Sequence, residues 1–387
     1  MAGQAPFIPY ARQALDRDDL AAVAEVLASD WLTTGPKVAE FEASLAASCG
    51  AAEVAAVSNG TAALHLAMLA LGVGPGDEVV VPAMTFAASA NCVLYAGATP
   101  VFADVDPDSL LLDLASAEAR ITPRTKALIA VDYAGQPCDW DGLRELAGRR
   151  GLALVDDGCH ALGAAYRGRP VGSLADLTCF SFHPVKHIAT GEGGAVATDR
   201  PDLAAAVRRL RNHGIMTDAR QREEAGTWFY EMQELGFNYR LTDIQCALGL
   251  SQLRKLPGWL ARRRELAARY ARLLADISGA EPLALLPDRE HAWHLYVVRL
   301  APELAGEGRR RVFEDLRAAG VGVNVHYVPV YLHPYYRKNL GAAEGLCPRA
   351  EAAYSRIISL PMYPGLSDAD QDRVVGALDA ALRRAAG

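Results

Sequence analysis

At 387 residues with a formal net charge of −7, the chain is long enough for one large domain and a smaller one, and it lacks the basic excess that nucleic acid attracts. Half of it is hydrophobic (51%), yet no run approaches the ~20 apolar residues a membrane span needs. Seven cysteines, odd in number and without a Cys-x-x-Cys pair, exclude a disulfide framework and a zinc site as expectations, and with no apolar leader in residues 1–20 the expected compartment is the cytoplasm.

In chain order, short β-rich runs alternate with helical stretches from about residue 50 to 200. The strand candidates are EVAAV (53–57), EVVVPA (78–83), ATPVFADV (98–105), KALIAVDY (126–133), LALVDD (152–157), LTCFSF (177–182) and GAVAT (194–198). TAALHLAMLALG, FAASANCVLYAG and WDGLRELAGRRG lie between them, each ending at a glycine placed to cap a helix. Near-continuous apolar strands separated by helices predict an α/β fold, a mainly parallel seven-stranded sheet sandwiched by helices. After residue 250 come a charged helix (260–277), a strand HLYVVRL, a helix RRRVFEDLRAAG, a strand VGVNVHYV (321–328) and a last amphipathic helix. Residues 1–250 are therefore expected to form the large domain and 251–387 a small α+β domain. The basic stretch at 260–277 reads as a helix with a solvated face.

Three segments fall where strands should end, and ligands in such sheets bind at the carboxyl ends of strands. SNGTAALHLAM places Gly60 in a tight turn and Thr61 at a helix start, where free amides and the helix dipole favour an anion; simple capping by Ser or Thr explains the same residues. LVDDGCHALGA ends an apolar strand on Asp156 and Asp157, and a buried acid there requires a cation or a donor, unless the pair only caps the following turn. No ligand-spaced His/Asp cluster accompanies the pair, so no metal is expected. CFSFHPVKHIATGEGG puts Lys186 four residues beyond a strand. Of the five lysines (37, 126, 186, 255, 338) it is the one placed in a cleft, and an arginine cannot replace a lysine that must form an imine.

These segments, with TTGPKVAEFE, PAMTFAASAN, RNHGI, LGFNYRLTDIQCALGLSQL, VNVHYVPV and SLPMYPGL, give the chain a resemblance to the DegT/DnrJ/StrS family of sugar aminotransferases that covers nearly its whole length. The resemblance implies the fold type I architecture of pyridoxal 5′-phosphate (PLP) enzymes, with the large domain binding PLP. It implies that Lys186 is the Schiff-base lysine and Asp157 the acid that keeps the pyridine nitrogen protonated. Gly60, Thr61, Ala62 and Ser181 would meet the phosphate, Phe86 would stack on the ring, and His160 stands where many members carry Gln near the ring hydroxyl. Asn238 would reach the phosphate from the second chain of a homodimer with shared active sites. A dehydratase branch replaces the lysine by His; Lys186 occupies the matching position here, and the neighbouring His187 reads as a turn residue rather than a catalytic one.

Within the family the likeness is greatest to the branch that makes UDP-4-amino-4,6-dideoxy-N-acetyl-β-L-altrosamine on the route to pseudaminic acid. It implies transfer of an amino group, with glutamate as donor, to C4 of a UDP-linked 4-keto-6-deoxy-N-acetylhexosamine by ping-pong kinetics. Tyr10, Arg240, His326 and Tyr327 would face the sugar nucleotide, although packing beneath the small domain also accounts for the last two. The alternatives are a C3 or dTDP-linked keto-sugar, or a PLP-binding homologue without turnover.

Overall fold

The computed structural model describes residues 6–217 and 219–386. Seven strands form its central sheet: β1 (Glu53–Val57), β2 (Glu78–Pro82), β3 (Thr99–Ala103), β4 (Thr125–Val131), β5 (Ala153–Asp157), β6 (Leu177–Ser181) and β7 (Gly194–Thr198). Each coincides with an expected run to within two residues at either end. Their order is β1-β7-β6-β5-β4-β2-β3. Pairing is parallel from β3 through β6, and β7 runs antiparallel to both neighbours, so six strands share one direction. Helices on both faces explain the continuous apolar runs: every residue of β2 and β7 is buried. The glycine stops work as expected, with Gly72, Gly97 and Gly151 in left-handed conformation just past helices Gly60–Ala70, Ala88–Tyr95 and Trp140–Arg150.

Helix Asp243–Leu274 opens with a capping box between Thr242 and Gln245 and runs without a break through residue 250. Its first half lies against helices Arg17–Leu27 and Pro36–Cys49. Its second half contributes Leu266, Tyr270 and Leu274 to a separate hydrophobic cluster, together with Ile8, Val298, Leu316, Leu360 and Leu378. That cluster covers a three-stranded sheet in the order Ala280–Pro282, Tyr296–Leu300, Ile357–Leu360 and is closed by helices Glu307–Ala318 and Asp368–Ala386.

One expectation needs correction. VGVNVHYV is no strand: only Val321 and Asn324 form bridges, to Ile8 and Ser359, and beyond them the chain leaves the small sheet to line a cavity. The basic helix has a solvated face on which Arg262, Arg264 and Arg269 pair with surface acids, but Arg263 is 2% exposed. All seven cysteines are free and six are buried.

Candidate active site

Five of the same-direction strands, β1, β2, β4, β5 and β6, release their chains around one cavity of about 930 Å³ at their carboxyl ends. Alternation along β5 sends its two terminal acids to opposite faces. Asp157 faces the cavity beside Val131, its register partner on β4. Its Oδ2 accepts from Ser89 Oγ at 2.6 Å, and Ser89 is in turn 2.6 Å from Thr85 Oγ1; the Cys159 amide donates to its Oδ1 at 3.3 Å. Asp156 points away, fully buried, with only Thr178 Oγ1 donating to it at 3.3 Å. Burial first, then the nearby carboxyl of Asp132, pushes Asp156 well above the usual carboxylate range, which favours its neutral form.

Where β1 ends, Asn59 caps helix Gly60–Ala70 by accepting from the Ala62 amide at 2.8 Å, so neither Ser58 nor Thr61 is the cap. The Ala62 amide is thereby engaged. The first bond of the helix runs from the Ala63 amide to the Asn59 carbonyl, which places the Gly60 and Thr61 amides before it, open to an anion. Ser181, the last residue of β6, lies directly opposite: a Cβ on Gly60 would stand 2.9 Å from Ser181 Cβ. Glycine is required there by close approach, and the turn forms a narrow cradle.

Beyond Ser181 the chain makes a turn pinned by Phe182 N to Gly193 O at 2.8 Å and Thr190 N to Phe182 O at 2.9 Å. Lys186 extends from this turn into the cavity. Burial lowers its pKa below the ordinary lysine value, partly opposed by Cys159 and Asp157, which increases the neutral, nucleophilic amine. The other lysines are committed elsewhere. Lys37 is 3.0 Å from Glu40, Lys126 3.3 Å from Asp77 and Lys255 2.8 Å from Asp19, while Lys338 is exposed at the surface.

The remaining wall is aromatic. Tyr327 OH lies 2.9 Å from His160 Nε2, and the rings of Phe86 and Tyr327 are 6.1 Å apart. His326 places Nδ1 2.8 Å from Ser359 Oγ, its carbonyl accepts from Tyr133 OH, and its ring is 5.7 Å from Tyr10. Burial, then Lys186, lowers the His326 pKa to about 4. The structure thus brings together Tyr10, Gly60, Thr61, Ala62, Phe86, Asp157, His160, Ser181, Lys186, His326 and Tyr327. It does not bring Asn238 or Arg240 to the cavity of the same chain: Asn238 is exposed, and Arg240 donates to Asn212 Oδ1 at 2.8 Å. His187 stays behind the wall, with Nε2 3.0 Å from the Ala292 carbonyl oxygen. Sequence reasoning missed His294 and Asn324, which line the cavity, and Ser89, which holds Asp157. Ser89 and His294 carried no local signal, being a small polar residue in a helix and one histidine ahead of a strand.

The DegT/DnrJ/EryC1/StrS aminotransferase family matches residues 13–379. The chain belongs to that family. The spore coat polysaccharide biosynthesis protein SpsC of Bacillus subtilis (strain 168) is 42% identical over 374 residues, 96% of each chain. Among solved structures, Spr1654 of Streptococcus pneumoniae in its PMP-form aligns with a TM-score of 0.93 at 35% identity, covering 98% of this chain and 100% of that one. Helicobacter pylori PseC, an aminotransferase of pseudoaminic acid biosynthesis, aligns at 0.91 with 31% identity, covering 98% and 100%. The protein is a PLP-dependent sugar aminotransferase. Its residues fit the cofactor: one amine, one cavity-facing acid held in place by hydroxyl and amide donors, and an anion cradle complement an aldehyde, a basic ring nitrogen and a phosphate.

Proposed function

We propose that this aminotransferase moves an amino group from glutamate to C4 of a UDP-linked 4-keto-6-deoxy-N-acetylhexosamine, in a pathway of the pseudaminic acid type. The observation that carries aminotransfer is Lys186, the lysine that reaches the cavity, opposite the buried acid Asp157. When bound, PLP supplies the electron sink into which the C–H bond electrons of the amine flow. Asp157 holds a proton at the ring nitrogen, and Ser89 keeps that carboxylate oriented. Gly60, Thr61 and Ser181 would hold the phosphate with Ala62 beside it, and Phe86 and His160 would flank the ring. The Lys186 amine would serve as the base and acid that moves the substrate proton.

The cavity volume of about 930 Å³ lies at the upper end of the ~300–1,000 Å³ usual for ligand sites and suits a sugar nucleotide beside the cofactor. Tyr10, His326 and Tyr327 give the sugar a wall of aromatic faces with polar tips. A homodimer with shared sites accounts for Asn238 and for the segment before it. Trp228 is 85% exposed, and Phe229, Tyr230, Met232 and Leu235 are all more than half exposed, an apolar surface rarely left open to water. The higher identity to SpsC than to PseC favours a second reading, another nucleotide-linked keto-sugar. The test is a panel of UDP- and dTDP-linked 3-keto and 4-keto sugars with glutamate as donor, with NMR of the products. An amine at C4 of the UDP-linked N-acetylhexosamine is expected; an amine at C3, or turnover confined to dTDP sugars, selects the second reading.

A further inference from the structure

Arg263 is buried on helix Asp243–Leu274 between two arginines that face solvent. Among the described residues it forms no ion pair, although a buried guanidinium without a counter-charge is costly and an apolar side chain in its place is often tolerated better. Burial alone lowers its pKa to about 10, leaving it charged at neutral pH. Its Nη1 instead donates to backbone carbonyls, of Trp293 at 2.8 Å, Met362 at 3.1 Å and, at a long 3.5 Å, His294.

The Trp293 and His294 carbonyls belong to the chain that enters the cavity wall. Trp293 adopts φ +53°, a left-handed conformation unfavourable for a bulky residue and sustained only where the surroundings impose it. Here they do. The Ala292 amide donates to Gly135 O at 2.9 Å and the Leu295 amide to Ala134 O at 3.2 Å, while a Cβ on Gly135, itself at φ +102°, would stand 2.8 Å from His160 O and 3.0 Å from Trp293 N. The outcome is a cluster of tilted rings: the His294 ring lies 4.4 Å from His160 at 36° and 5.6 Å from His187 at 49°, and His160 bonds Tyr327.

All three rings are more than nine-tenths buried, and each has an Nδ1 without a partner. Burial first pushes each below the ordinary histidine pKa. Lys186 acts in the same direction on all three, and Arg263 on His187 and His294; His326 and His291 add smaller contributions.

We infer that Arg263 is a positioning residue of the active site: its bonds to the Trp293 and His294 carbonyls set the turn that holds His294 against His160, and its charge adds to burial in disfavouring a proton on His187 and His294. Uncharged rings can pack in contact where imidazolium pairs would repel. His160 then stays fixed on the Tyr327 hydroxyl, at the wall where the sugar is proposed to sit. Only the kinetic part of this inference rests on the proposed glutamate-dependent activity; the titration does not.

The test compares the full chain with Arg263→Gln and Arg263→Lys, using ¹⁵N-histidine NMR titration and the rate of the glutamate half-reaction read from the cofactor's visible absorption. Wild-type His187 and His294 should remain neutral below the ordinary histidine range. In Arg263→Gln at least one should titrate about one to two pH units higher, as expected on removing a charge within several ångströms. The acid limb of the half-reaction should move with it. Arg263→Lys keeps a charge but not the fork, so it should restore the titration while the rate stays lowered by about tenfold or more, the effect of a misplaced wall. Unchanged histidine titration in folded Arg263→Gln overturns the electrostatic role, and a wild-type rate in Arg263→Lys overturns the positioning role. If Arg263→Gln does not fold, Arg263→Lys decides alone: wild-type titration with a slowed half-reaction supports the inference, and a wild-type rate defeats it. A wild-type chain that never reacts with glutamate refutes the proposed donor and leaves the titration result standing.

Discussion

Mixing two inactive variants should regenerate activity, because each proposed site takes Lys186 from one chain and Asn238 from the other. Within one chain Asn238 is exposed and stands outside the cavity that Lys186 enters, so changing it leaves the local packing intact. Lys186→Ala removes the reacting amine. Asn238→Asp removes a hydrogen bond to a charged group, worth about 1.5–3 kcal/mol, and so weakens cofactor binding by roughly ten- to a hundredfold; the added carboxylate near a phosphate increases the loss. Suppose equal amounts are unfolded together and refolded. About half of the dimers are then mixed, and by the reciprocity of a two-fold interface each has one site with both defects and one with neither, so roughly a quarter of all sites should be wild type. Specific activity of the refolded mixture, with mixed dimers counted by mass spectrometry, gives the answer. If mixed dimers form and activity stays at the level of the separate variants, the site is built within one chain and the shared-site reasoning fails.

Borohydride reduction followed by peptide mapping should place the cofactor on Lys186, and a label on Lys37, Lys126, Lys255 or Lys338 would overturn the assignment. Asp157→Asn should retain much of the PLP yet lose most turnover, since an amide cannot hold the ring nitrogen protonated. Asp156→Asn should be mild, because Asp156 points away from the cavity and a neutral amide resembles the neutral carboxyl that burial favours there; the reverse order of effects, measured as kcat, would show that the wrong acid had been chosen. Gly60→Ala drives a methyl to 2.9 Å from Ser181 Cβ, which should cost about 1–3 kcal/mol of stability and weaken PLP affinity by about tenfold or more. Titration of the apoprotein with PLP measures it, and wild-type affinity would mean that the cradle is elsewhere.

The sequence by itself determined the sheet, because its signals are local. Apolar runs buried on both faces mark β2 and β7, and glycines able to adopt left-handed conformation mark the ends of the intervening helices. It also isolated Lys186, since a chain that spends arginine at its surface and has five lysines leaves few of them to explain. Alternation along β5 required Asp156 and Asp157 to face opposite ways, yet which of them met the cavity depended on the strands alongside, and only the fold decided it. The same holds for VGVNVHYV, whose β pattern is real but whose partners run out after Asn324, and for Arg263, one arginine in a run of three. His294 reaches His160 across 134 positions of sequence through a turn imposed by contacts with Gly135 and Arg263. Burial and ring contacts of that kind are properties of neighbours distant in the chain, so no local pattern could announce them.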